Sequence, residues 1–398
     1  MHVLMIPSWY RDAQFPLNGV FFREQAHVLK NAGYQMGVVA PGQYSILVFP
    51  RYGRWRYREA FENDNGIPTY ASYTCAWFPL VPYANTHFWL RSGMRLVERY
   101  LREVGRPDLI HAQAAFQAGL LAERIKRRYG IPYVLSEHGS VFLEGGVSFW
   151  KAPLLRRAWA NADARTVVSP RLGEAVERCS GPGVGPWTWI PNLVERQFFE
   201  APLRMPRGKS HPFRFLHVAH FMPIKAQPNL LQAFAERFKG DPDVVLRVGG
   251  DGDIRPALER LTVELGIQNQ VRFLGMLSRE QALQEMLAAD AFVLSSHFET
   301  FSIVLAEAMA CGTPVVSTAC GGPECIVNET NGLLVQPGSV RAFGEAMAAM
   351  RQRAGQYDPE AIRRDCADRF SYDVVLAQWA RLYEDVLARS RRSQGKVA

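Results

Sequence analysis

Apolar residues fall in two alternating patterns along the 398-residue chain. Short continuous apolar runs, of the kind buried parallel strands carry, lie at residues 1–7, 34–40, 109–111, 133–136 and 165–169. Between them, apolar positions recur at helical spacing, as at Val20, Phe21, Ala26, Val28 and Leu29. This predicts helices at 20–32, 116–129, 154–160 and 172–179, with Gly33 and Gly130 as stops. A Pro/Gly-rich seam at 181–186 and 202–212 flanks a short strand at 188–191. The rhythm then restarts. Strands at 213–219, 244–248, 271–274, 291–295 and 314–317 alternate with helices at 229–238, 254–265, 280–288 and 302–310. Three more helices are predicted at 340–353, 359–369 and 372–389, before a polar tail. Repeated strand–helix–strand units predict an α/β fold of two doubly wound domains, residues 1–195 and 205–371, with a helix at 372–390 returning to the first. Such sheets bind ligands at the carboxyl ends of their strands, so two facing sheets would take a shared substrate in the cleft between them.

Composition narrows the class. The chain is 48% apolar and 21% charged, which excludes disordered, collagenous and coiled-coil chains. No apolar run approaches the ~20 residues that span a bilayer. The opening residues lack the basic region and cleavage site of a signal peptide, so a cytoplasmic protein is expected. The six cysteines, at 75, 179, 311, 320, 325 and 366, form no CxxC pair, and free buried thiols are expected. The net charge is +8 and uneven. Residues 1–195 hold 22 Lys and Arg against 15 Asp and Glu, whereas the rest of the chain holds 24 against 23. A basic first half suggests an anionic partner there.

The most informative stretch is Ser295-Ser-His-Phe-Glu-Thr-Phe-Ser-Ile-Val-Leu-Ala-Glu. A strand ends at Ser295, Glu299 lies in a short loop, and a helix starts near Ser302. The backbone N–H groups of Phe301, Ser302 and Ile303 have no acceptor within that helix, so its start is suited to phosphate. Glu307 is surrounded by Leu305, Ala306, Ala308 and Met309. A carboxylate in that setting needs hydrogen-bond donors, and a ribose diol would supply two.

Glu299-x7-Glu307, followed by Ala-Met-Ala-Cys-Gly-Thr-Pro-Val-Val, resembles the signature of the retaining glycosyltransferases of family 4. Their fold, called GT-B, has two Rossmann-like domains facing across a cleft. The likeness extends to Val248-Gly-Gly-Asp-Gly252, Val271-Arg-Phe-Leu-Gly275 and Gly321-Gly-Pro-Glu324, and to Asn331-Gly-Leu-Leu-Val335. In the first half it takes in Ile6-Pro-Ser-Trp-Tyr10, Gly19, Asp108-Leu-Ile-His111 and Ser136-Glu-His138-Gly139, so it covers most of the chain.

The resemblance implies roles. Glu299 would contact donor-sugar hydroxyls, Glu307 would hold the nucleotide ribose, and Phe301, Ser302 and Ile303 would offer N–H groups to the diphosphate. Lys225 would stabilise the leaving group. His138 would face the donor sugar, and Gly19 would let the first loop approach the phosphates. The family pattern has an arginine where this chain has His220, which lacks the guanidinium's fork and permanent charge and would bind phosphate best when protonated. Gly250 is read as a turn lining the nucleotide pocket, because Arg255 breaks a dinucleotide fingerprint. The backbone around Gly275 and Met276 would select the base.

A second cluster interleaves arginines and aromatics: Arg51, Arg54, Trp55, Arg56 and Arg58, followed by Trp77 and Trp89. This composition suits an anionic membrane surface or single-stranded nucleic acid. With no nucleic-acid-binding module in the chain, an acceptor site facing lipid is preferred. The expected activity is retaining sugar transfer from a UDP- or GDP-sugar to a glycan or lipid-linked acceptor in surface polysaccharide or lipopolysaccharide synthesis. No metal and no other cofactor is expected, and the setting is the inner face of the cytoplasmic membrane. A nucleotide-sugar epimerase, an NAD-dependent dehydrogenase and a non-catalytic binding protein are the rival classes.

Overall fold

The computed structural model describes residues 1–12, 18–45, 58–78, 81, 83–181, 183–204 and 211–394. The chain divides into two compact units. Unit 1 comprises Met1–Val168, Leu172–Ile190 and the chain from Leu376 on, and unit 2 comprises Ser169–Arg171 and Pro191–Val375.

Unit 1 carries eight strands: β1 (His2–Pro7), β2 (Gln35–Ser45), β3 (Arg58–Asp64), β4 (Ile67–Ala76), β5 (Leu109–Gln113), β6 (Tyr133–Glu137), β7 (Ala164–Val167) and β8 (Thr188–Trp189). Its helices are α1 (Val20–Asn31), α2 (Ala84–Glu103), α3 (Leu120–Tyr129), α4 (Ala152–Ala160) and α5 (Pro170–Ser180). The sheet runs β3-β4-β2-β1-β5-β6-β7-β8, all parallel except the β3–β4 pair. Every residue of β1, β5 and β6 is buried, as a sheet covered on both faces requires.

Unit 2 carries β9 (Phe213–Val218), β10 (Val244–Gly249), β11 (Val271–Gly275), β12 (Ala291–Leu294), β13 (Val315–Thr318) and β14 (Gly332–Val335). These pair in the parallel order β11-β10-β9-β12-β13-β14. Its helices are α6 (Arg196–Glu200), α7 (Gln227–Phe238), α8 (Arg255–Leu265), α9 (Arg279–Ala288), α10 (Ile303–Ala310), α11 (Val340–Arg353) and α12 (Pro359–Phe370). The core under this sheet joins Phe215, Leu246 and Val293 to Leu230, Phe234 and Met347. A last helix, α13 (Tyr372–Gln394), starts in unit 2 and continues in unit 1.

Each sheet has one place where strand order reverses, and there the carboxyl ends open a crevice for ligand. In unit 1 it lies between β1 and β5, and in unit 2 between β9 and β12.

Beyond the unexpected short β14 and α6 and the longer β2 and α13, two regions depart most from the sequence expectation. The β3–β4 hairpin and α2 occupy a stretch read only as a basic aromatic cluster. Asn65 (φ 49°) and Gly66 (φ 85°) form its two-residue turn, and Asn-Gly is the strongest short hairpin signal. β3 is mostly polar and exposed and β4 mixes polar with apolar residues, so neither forms an apolar run. The helix expected at 116–129 begins only at Leu120, because Ala114 (φ 70°, ψ 140°) and Gln117 (φ 71°, ψ −75°) lie outside helical geometry. Glu137, Ser8 and their hydrogen bonds hold this strained loop.

Candidate active site

In unit 2, β12 delivers the chain into Ser295 and Ser296, and β9 delivers it into a short turn at Pro223–Lys225. The two loops are tied together. The Ser295 hydroxyl donates to the carbonyls of Lys225 and Ala226, and the His297 N–H donates to Ile224 O. This brings Lys225 Nζ to 2.8 Å from Glu299 Oε1, which also accepts from the Ser296 hydroxyl at 2.7 Å. Glu299 is 8% exposed and its N–H donates to Cys320 O. The predicted lysine and loop glutamate therefore form one partly buried ion pair at the carboxyl edge.

Just beyond, Ser302 precedes α10 with φ 80° and ψ 74°, and no side chain caps the helix. The Ser302 hydroxyl is buried without a partner. Gly322 lies against this start: a Cβ there would meet the Phe301 backbone at 2.5 Å. The Phe301 side chain faces inward, edge-on to Phe370. What Phe301, Ser302 and Ile303 offer a ligand is therefore backbone.

Glu307 is 1% exposed inside α10. Sequence reasoning missed its protein partner. Arg279 Nη2 lies 2.7 Å from Glu307 Oε1, close enough to pair but off the direction of a hydrogen bond, so that oxygen is buried without one. The same guanidinium donates twice to Glu195 Oε1, at 3.0 and 2.6 Å. Burial pushes the Glu307 carboxyl above the usual carboxylate range, against the pull of Arg279. Arg279 and Glu195 both lie far from Glu307 in sequence, and nothing in their spacing announces the pairing.

Around β10, glycine is demanded by contact. A Cβ on Gly250 (φ 128°) would lie 1.9 Å from Ala219 O, beside the exposed His220, and one on Gly252 would lie 2.3 Å from Phe221 O. The Gly250 N–H donates to Gly275 O, and Met276 follows at 50% exposure. His220, Gly250, Gly275 and Met276 thus lie at the carboxyl ends of three neighbouring strands.

In unit 1, His138 follows β6. Its Nε2 lies 2.7 Å from Gln113 Oε1, and its ring packs on Phe21 and Phe22 at 5.4 and 5.1 Å. Burial pushes its pKa down to about 3, so the imidazole is neutral at pH 7. Glu137 is buried and accepts from the N–H groups of Ala115, His138 and Gly139. Burial raises its carboxyl, and those three donors oppose the shift. Gly19 starts α1 at φ 65°, where a Cβ would sit 2.7 Å from Trp9 O; glycine is required here by the protein's own backbone.

The membrane-facing set divides. Arg51, Arg54, Trp55 and Arg56 lie outside the described residues. Arg58 is exposed and Trp77 is 47% exposed. Trp89 is a correction: at 1% exposure it belongs to the core, because α2 turns that face inward with Leu90, Leu96 and Val97. All six cysteines are free. No described helix is long and apolar enough to cross a membrane.

Two family models match the chain: "Glycosyl transferase 4-like domain" over residues 19–192 and "Glycosyl transferases group 1" over residues 204–356. A protein of Bacillus subtilis named as a teichuronic acid biosynthesis glycosyltransferase is 28% identical over 95% of both chains. A D-inositol 3-phosphate glycosyltransferase of Saccharomonospora viridis is 30% identical over 77% of this chain and 76% of its own. Among solved structures, HepE of Anabaena in complex with UDP superposes with a TM-score of 0.73 at 19% identity, over 97% of this chain and all of its own.

Proposed function

Because the chain belongs to the family 4 glycosyltransferases of GT-B fold, we propose that it moves a sugar from a nucleoside diphosphate sugar to a glycan or lipid-linked acceptor in surface polysaccharide synthesis, with retention at the anomeric carbon. The observation that carries this reading is the Lys225–Glu299 ion pair beside the uncapped start of α10. Glycosidic cleavage leaves negative charge on the diphosphate. A fixed ammonium and a helix N-terminus stabilise that charge where it develops. Glu299 takes the sugar hydroxyls and Glu307 the ribose. The departing phosphate accepts the proton of the attacking hydroxyl on the same face, so no separate carboxylate base is needed. Lys225 and α10 supply the positive charge, and the reading needs no divalent cation. The Anabaena HepE structure holds UDP, and UDP is the first nucleotide to test.

Unit 1 would take the acceptor at an anionic membrane surface. It exposes Trp77, Phe78 and Phe88, and it carries a groove of about 350 Å³ lined by four arginines, Arg91, Arg95, Arg124 and Arg128, with His87, Met94 and Glu98, the last paired with Arg128. Rings at headgroup level and cations toward anionic lipid fit that composition.

Thermal unfolding against UDP, GDP, ADP, dTDP and NAD tests the donor site. A nucleotide at a hundredfold its Kd adds about 2.7 kcal/mol. One nucleoside diphosphate should stabilise the wild type and lose its effect in Glu307→Ala. Stabilisation by NAD alone, or by a nucleotide regardless of Glu307, would overturn the site. Turnover of the matching sugar donor without any acceptor, yielding an isomeric donor, would point to an epimerase.

A further inference from the structure

The family resemblance gives His138 a place facing the donor sugar but assigns nothing to the two glutamines behind it. Gln113, fully buried at the end of β5, places Oε1 2.7 Å from His138 Nε2 and donates from its own Nε2 to Gln25 Oε1 at 2.7 Å. Gln25 is itself buried, one turn into α1 beyond Phe21 and Phe22, which clamp the imidazole. Three elements thus converge on one ring.

The directions of these hydrogen bonds have a consequence. An amide has a donor end and an acceptor end. With the Gln113 amide nitrogen committed to Gln25, only its oxygen faces His138. A carbonyl oxygen accepts, so His138 Nε2 must carry the hydrogen. In a neutral imidazole the other nitrogen then holds a lone pair. His138 Nδ1 is that nitrogen, and it is buried without a partner. A buried acceptor left open in an otherwise bonded cluster calls for a ligand.

We propose that Gln25 and Gln113 are positioning residues that lock His138 in the Nε2–H tautomer, presenting Nδ1 as the hydrogen-bond acceptor for a donor-sugar hydroxyl. This rests on the reading of His138 as a donor-sugar contact. The other ionisable groups nearby leave the lock intact. Glu137 spends its carboxylate on three backbone N–H groups. His111, on β5, has Nδ1 and Nε2 engaged by the hydroxyls of Tyr383 and Ser136. Neither supplies a charge that would demand a doubly protonated His138, and burial opposes that form.

Nitrogen-15 histidine spectra of the full-length protein at pH 7 test the assignment. The His138 signals are identified by their loss in His138→Gln. A single neutral tautomer protonated at Nε2 is expected in the wild type. In Gln25→Leu the Gln113 amide is free to turn over, and the Nδ1–H tautomer should appear. The same variant should lose about tenfold in donor turnover, the cost of one directed hydrogen bond, with nucleotide affinity unchanged. Gln113→Glu keeps an acceptor facing Nε2 and should retain the Nε2–H signal while raising the pH at which the ring protonates. An Nδ1–H tautomer or an imidazolium in the wild type would overturn the proposal, whatever the variants do. So would a Gln25→Leu spectrum identical to the wild type. Failure of the underlying reading looks different: His138→Gln would then turn over donor at the wild-type rate while the wild-type tautomer remained Nε2–H.

Discussion

The carboxyl edges of the two sheets are built on the same strand arrangement and filled with opposite chemistry. In unit 2 the edge holds charge. Lys225 pairs with Glu299, and Arg279 joins Glu195 to the buried Glu307. In unit 1 the neighbourhood of His138 is joined by amides and backbone N–H groups, with the imidazole neutral. The difference matches the demands of the proposed group transfer. A departing diphosphate develops charge and needs fixed charge to meet it, whereas a hydroxyl to be oriented needs a directed acceptor without a competing cation.

The largest expected effect lies in the charged edge. Lys225→Ala removes the cation that the proposed reaction sets against the leaving group, and donor turnover should fall about 100- to 1000-fold, the cost typical of losing one transition-state donor. Lys225→Arg keeps the charge with a different shape and should recover part of it. Steady-state rates with the donor identified by thermal shift check this. A loss below tenfold in Lys225→Ala would place the charge that matters elsewhere.

Glu307 comes next, and it separates function from stability. Replacing it by Gln removes a charged hydrogen-bond acceptor, worth about 1.5–3 kcal/mol, so nucleotide affinity should fall about 10- to 100-fold. Stability should move the other way. Its folded carboxyl titrates above its unfolded value, so the contribution to stability is full below the unfolded pKa and is lost as pH rises through the folded one. Wild type and Glu307→Gln should therefore be closest in Tm near pH 4, with the variant gaining on the wild type toward pH 8.

The neutral histidines predict the opposite slope. His111 and His138 are pushed to about 3 and His217 to about 4, each by burial. The unfolded chain binds protons near pH 6.5 that the folded chain refuses, so these groups cost stability as pH falls from 7 toward 4. Denaturant midpoints across that range should drop, and His217→Phe should flatten the fall. An unchanged slope in that variant would mean that His217 takes up its proton alike in the folded and unfolded chain.

These sites were unequally legible in the sequence. The strand–helix alternation, the Glu299–Glu307 spacing and the glycine at 250 are local, and most predicted elements lie within a residue or two of their place; the helix after β5 starts late, β2 and α13 run further than their apolar patterns, and β14 and α6 are too short to announce themselves. Arg279 and its second partner Glu195 were invisible, because they come from separate stretches of chain and only tertiary packing joins them to Glu307. Gln25 and Gln113 were hidden for the same reason, 88 residues apart. The hairpin was missed although Asn65-Gly66 announced it, because arginines and aromatics drew attention to composition. Trp89 shows the cost of that: counted with Trp77 as a lipid-facing ring, it fills the core instead, since only its position on α2 decides which way it points.

That distinction gives the smallest prediction. If unit 1 meets an anionic surface, the exposed face of α2 should carry the effect and the buried face none. Arg91 and Arg95 are both exposed on α2 and line the basic groove. Each cation near such a surface contributes about 1 kcal/mol, or roughly fivefold in partitioning. Arg91→Gln and Arg95→Gln should each weaken binding to vesicles containing phosphatidylglycerol by about that factor, multiplying in the double variant and fading as salt rises. Trp77→Ala should weaken binding further, with Tm nearly unchanged. Trp89→Phe should lower Tm and leave partitioning of the folded protein as it was. Equal binding of wild type and the double arginine variant at low salt would remove α2 from the membrane-facing surface and return its basic face to ordinary solvation.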